Sequence, residues 1–77
     1  MISLVEGDVV VVDVDVRTAS KRTRNRVKEN GPEFEFVKFG QTYVTIALGN
    51  SRAALLKSRT TRWVGWLPER EIVLKKL

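Results

Sequence analysis

Val9-Val10-Val11-Val12-Asp13-Val14-Asp15-Val16 is the stretch on which the fold turns. In an extended chain Val10, Val12, Val14 and Val16 share one face. Asp13 and Asp15 share the other with Val9 and Val11. Side chains alternate sides along a strand, and valine is a strong strand former, so a β-strand is predicted over residues 9–16. Gly7-Asp8 just before it supplies a turn into the strand.

Residues 33–39 resume the alternation. Phe34 and Phe36 fall on one face, then Val37 and Phe39 on the other, which predicts a bulge or bend near Val37. Gly40-Gln41 reads as a break. Residues 42–48 alternate again with Val44, Ile46 and Leu48 inward, and Gly49-Asn50 reads as a turn. The run Ala53-Ala54-Leu55-Leu56 fits a strand better than one helical turn, because an isolated short helix is marginal and its neighbours are β. Residues 63–67 are a further strand, Pro68-Glu69-Arg70-Glu71 a 3₁₀ turn, and residues 72–74 a short last strand. The 77 residues make one domain spanning residues 1–77. The expected class is all-β: five or six short, strongly bent antiparallel strands closing a small barrel. Its expected core is Val10, Val12, Val14, Phe34 or Phe36, Val44, Ile46 and Leu48.

The chain has no cysteine and no histidine. It therefore has no disulfide, no thiolate to attack a substrate or hold zinc, and no imidazole to shuttle protons. Asp13 and Asp15 share a strand face, but no third acid or phosphate-cradling loop accompanies them. They read as the outward side of an amphipathic strand rather than an acid–base pair or a magnesium site. No catalytic residue, metal ligand or cofactor is expected, and the chain is read as not an enzyme. The N-terminus lacks a basic region followed by a long apolar run, and every apolar run is too short to span a membrane. A soluble, cytoplasmic protein is the expectation.

The net charge is +5 and its placement is uneven. Arg17, Lys21, Arg22, Arg24, Arg26 and Lys28 lie close together with no acid among them, while the charges elsewhere nearly cancel. This segment has no apolar periodicity, since Ala19 and Val27 are its only apolar residues. A long, exposed, mobile basic loop is predicted over residues 17–29. Arginine forks suit bidentate phosphate contacts, and Thr18, Ser20, Thr23 and Asn25 add small donors. A charge run is usually a solvated face, but solubility alone is served by spread, mixed charges. Lys57, Arg59 and Arg62 form a second basic turn. Trp63 and Trp66 are three apart, which puts them on opposite faces of a strand. Trp63, beside Arg62, is the candidate for stacking a base, and Trp66 for closing the core.

Two patches carry a family resemblance. Leu4-Val5-Glu6-Gly7-Asp8-Val9-Val10-Val11-Val12 resembles the start of a barrel strand in SH3-like domains. Gly65-Trp66-Leu67-Pro68-Glu69-Arg70-Glu71-Ile72-Val73 resembles their ending, where a proline opens a 3₁₀ turn into the last strand. The resemblance implies a small SH3-like barrel. It does not imply proline-peptide binding: no ALYDY-like strand precedes Gly7, Tyr43 is the only tyrosine, and the tryptophans are not adjacent. Such barrels serve many functions, so function rests on the residues.

The functional expectation is a non-catalytic module for DNA or RNA with low sequence specificity. Its candidate contacts are Arg17, Lys21, Arg22, Arg24, Arg26, Lys28, Lys57, Arg59, Arg62 and Trp63. With no helix expected to enter a groove, readout rests on phosphates. The alternative is a small adaptor or inhibitor that docks on an acidic protein surface, through the basic segment or a sheet edge.

Overall fold

The computed structural model describes residues 3–45 and 49–77, and of residues 41–45 and 49–51 the backbone alone. Five strands form one antiparallel sheet: β1 (Val9–Val14), β2 (Glu33–Thr45), β3 (Gly49–Ser58), β4 (Val64–Pro68) and β5 (Ile72–Lys76). The order across the sheet is β4-β3-β2-β1-β5. The all-β expectation therefore holds for the sheet, with one addition, the helix α1 (Lys21–Asn30), between β1 and β2. The described strands form an open ladder with β4 and β5 at its edges, so backbone pairing does not close the barrel expected from the sequence.

The valine run behaves as its alternation requires. Val10 and Val12 are fully buried and Val14 is half-buried. The strand stops at Val14, and Val16 is 82% exposed. Asp15 ends it: its carbonyl accepts the backbone N–H groups of Thr18 and Ala19, and its carboxylate accepts that of Arg17 at 3.0 Å. A short polar side chain that bonds nearby backbone competes with the ladder and turns the chain.

Both Phe34 and Phe36 are buried, rather than one of them. The predicted irregularity lies between Phe36 and Lys38, where the β2–β3 register shifts. Gly40-Gln41 does not end the strand; a second register shift, between Gly40 and Thr42, lets β2 continue to Thr45. Gly49 and Asn50 open β3 instead of forming a turn. Ile46 and Leu48 lie outside the described residues, and the side chain of Val44 does too.

Ala54 and Leu56 of β3 are buried with Val10, Val12, Phe34, Phe36, Leu67 and Ile72 in one core. That settles the Ala-Ala-Leu-Leu run as strand. As the sequence predicts, Pro68 precedes a 3₁₀ turn, here over Glu69–Glu71, that leads into the last strand; β5 runs on to Lys76 and pairs with β1.

The basic segment is the main correction. Residues 17–20 are turn and coil, and Lys21–Asn30 is a regular α-helix rather than a loop. Its inward stripe is Thr23, Val27 and Asn30, the i, i+4, i+7 spacing of an amphipathic helix with two of three positions polar. The helix is fastened at both ends from outside. Ser20 is the N-cap, its side chain accepting the Thr23 N–H at 3.2 Å. The Ser20 N–H donates to Glu71 Oε1 at 2.7 Å, and the Thr18 hydroxyl donates to the Arg70 carbonyl at 2.6 Å. At the other end, the Thr61 hydroxyl donates to Asn30 Oδ1 at 2.7 Å, and the hydroxyls of Ser58 and Thr60 donate to the Asn30 carbonyl.

Candidate nucleic-acid interface

The helix displays its cations because its inward stripe is made of other residues. Lys21, Arg22, Arg24 and Lys28 are exposed, and Arg26 is half-buried. Among the described residues, the salt bridges join Arg52 to Glu69 and Lys76 to Asp8; none involves a cation of α1. Arg22 and Arg26, like Arg24 and Lys28, sit at i, i+4. Such like-charge pairs destabilise an isolated helix by roughly 0.2–0.5 kcal/mol each. The first turn contains no acid, which opposes the helix dipole. Glu71 supplies the missing carboxylate from another part of the chain. At the helix N-terminus the Ser20 N–H is thus taken by Glu71 and the Thr23 N–H by the Ser20 side chain.

The second basic turn lies at the C-terminal end of this helix. Asn30 holds the turn through Ser58, Thr60 and Thr61, and the flanking Lys57, Arg59 and Arg62 are all exposed. The structure therefore links the two basic segments that the sequence left separate. Arg17 is exposed on the turn that leads into α1.

The tryptophans exchange the roles expected of them. Trp63 precedes β4 and is half-buried, packing edge-on against Phe34 with ring centroids 6.1 Å apart. The Arg26 guanidinium stands 5.9 Å from its ring centroid, within cation–π range. Trp66 is the exposed one, at 40%. Alternation along β4 sends Leu67 into the core, and Trp66 turns to the other side. Its ring rests on Gly40 so closely that a Cβ there would collide with Trp66 Cη2. Gly65 serves Trp63 in the same way, since a Cβ there would come within 2.5 Å of Trp63 Cζ2. The sequence showed one inward and one outward indole without showing which was which.

Between α1 and β4 lies a groove of about 440 Å³ lined by Arg22, Arg26, both tryptophans and the rest of β4. No carboxylate lines it. A second, more open depression of about 410 Å³ runs along α1 and shares Arg22 and Arg26 with the first. The combination is chemically specific: two arginines one helical turn apart, without a salt-bridge partner among the described residues, beside an uncharged strand edge and both tryptophans.

Comparison with protein-family models, with curated proteins and with solved structures finds no match to this chain. The functional reading accordingly rests on these residues.

Proposed function

We propose that this protein is a non-catalytic nucleic-acid-binding module that grips phosphates with the exposed face of α1, with low sequence specificity. The observation that carries the reading is the set of cations Lys21, Arg22, Arg24, Arg26 and Lys28, held on one helix without a salt-bridge partner among the described residues. A fold that fastens a self-repelling helix at both ends keeps those charges in place for an outside anion. Phosphates would relieve the repulsion and release condensed counterions, which favours binding without base contacts. Lys57, Arg59 and Arg62 extend the surface at the C-terminal end of the helix, and Arg17 extends it at the other.

The finer fold assignment is also our inference: a bent sheet of the SH3-like type. It is supported by β5 returning beside β1 and by the 3₁₀ turn that Pro68 opens.

A protein partner is the second reading. The edge strand β4 reads Val-Gly-Trp-Leu-Pro, without a charge of its own, and exposes Val64 and Trp66. Uncharged edges can accept a further strand.

Backbone amide shifts recorded while a short oligonucleotide is added separate the two readings. Phosphate binding by α1 moves the amides of residues 21–28 and of the turn at residues 58–62, and the shifts collapse as salt is raised. Unchanged spectra at low salt with both duplex and single strand would sink the nucleic-acid reading.

A further inference from the structure

Phosphate binding by α1 leaves two features of the groove unused: the exposed indole of Trp66 and the apolar strand edge beside it. We propose that this groove seats an unstacked base of a single-stranded nucleic acid, with Trp66 stacking on the base and Arg22 and Arg26 holding the flanking phosphates. The proposal rests on the reading of α1 as a phosphate-binding surface and names the form of nucleic acid the surface prefers.

Trp66 has the properties of a platform. The benzene end of its ring lies against Gly40, where the absence of a side chain lets it come close to the backbone, and the residue stays 40% exposed. Every base has a π-face, so a fixed indole binds bases with little regard to sequence. Trp63 plays a different part. Packed between Phe34 and Gly65, it offers its ring to Arg26, which lines the same groove.

The walls complement a base flanked by phosphates. Arg22 and Arg26 provide positive charge from one side, with no carboxylate lining the groove to compete for them. Val64, which is exposed, provides apolar surface on the other. The volume of about 440 Å³ falls in the range of roughly 300–1,000 Å³ usual for small-molecule sites. A duplex keeps its bases stacked inside and reaches Trp66 only by flipping one out, at a cost of a few kcal/mol. A single strand presents bases and phosphates together.

The test compares three probes of equal phosphate number with the full chain: an oligothymidylate strand, a duplex, and an abasic strand. Anisotropy of the labelled probe gives affinity, and tryptophan emission reports stacking. The expected result is that oligothymidylate quenches the emission and binds roughly tenfold or more tighter than the abasic strand. Trp66→Ala levels that difference, and Trp66→Phe restores most of it. Equal wild-type affinity for base-bearing and abasic strands overturns the proposal and leaves phosphate binding standing. Duplex binding as tight as single strand, or a glutamate-rich peptide that displaces the strand at matched charge, also overturns it. Binding by none of the three probes overturns both the proposal and the reading on which it rests.

Discussion

The backbone N–H of Ser20 donates to the buried carboxylate of Glu71 at 2.7 Å, joining residues 51 apart in the chain. This contact places an acid at the start of a helix whose own first turn has none. It also binds the basic helix to the 3₁₀ turn that positions β5. The proposed binding surface depends on this bond, although Glu71 itself meets no ligand.

Glu71→Ala should destabilise the protein by about 1–3 kcal/mol, the cost of leaving a partly buried donor unpaired. Glu71→Gln keeps an acceptor and should cost less. Urea unfolding gives the stabilities. Amide exchange at residues 20–24 should quicken more in Glu71→Ala than at core positions of β1. Unchanged exchange there would show that the helix does not depend on this anchor.

Asn30 closes the other end. It is 6% exposed, its Nδ2 donates to the Arg26 carbonyl at 3.0 Å, and its Oδ1 accepts from Thr61. Asn30→Ala should cost a similar 1–3 kcal/mol, about what an orphaned buried polar group costs. It should also loosen the turn that carries Arg59 and Arg62, measurable as faster backbone motion at residues 59–62 by heteronuclear relaxation.

Leu55 and Leu56 are neighbours with opposite surroundings: Leu56 is fully buried and Leu55 half-buried. Leu56→Ala should cost about 2–5 kcal/mol, as core leucines do. Leu55→Ala should cost distinctly less. Denaturant midpoints in the reverse order would mean that β3 presents the other face to the core.

Gly40→Ala should move the Trp66 ring, because the new Cβ would collide with Cη2. The overpacking cost is about 1–3 kcal/mol if the ring cannot give way and less if it swings outward. Either way the tryptophan emission should shift relative to wild type. An unaltered spectrum would contradict the close packing of the ring on Gly40.

The pH profile should be simple. The Val5 backbone N–H, and then the Lys76 ammonium, hold Asp8 below the ordinary carboxylate range, and Arg52 holds Glu69 there. A lowered folded pKa means stability that is present above the unfolded value, about 4, and is lost as pH falls through the folded value. The chain has no histidine. Thermal midpoints should be level from about pH 6 to 8 and should fall below about pH 4.

The strands were legible because their faces differ. The valine run, the Phe34 and Phe36 pair and the shift near Val37 all follow from period-2 alternation against one core. The helix was not legible, because its signal is tertiary. Thr23 and Asn30 fill inward positions that apolar residues usually occupy, and Val27 alone shows hydrophobic spacing. The acid that complements its N-terminus stands at Glu71, far along the chain. The unevenness of charge was visible from composition, but its display around the outer side of a helix was not. Trp66 was missed as a candidate because alternation distinguishes inward from outward only once Leu67 is known to take the core position.

The most direct test of the central claim is the salt dependence of binding to a single-stranded oligonucleotide, for wild type and for a variant with Arg22, Arg24 and Arg26 replaced by alanine. If these side chains hold phosphates, the slope of log affinity against log salt should flatten by about 0.7 for each phosphate the variant no longer neutralises. The variant should remain folded by circular dichroism and bind more weakly across all sequences. Equal slopes and affinities for the two proteins would contradict phosphate binding by α1, because its charges would then be solvated rather than engaged.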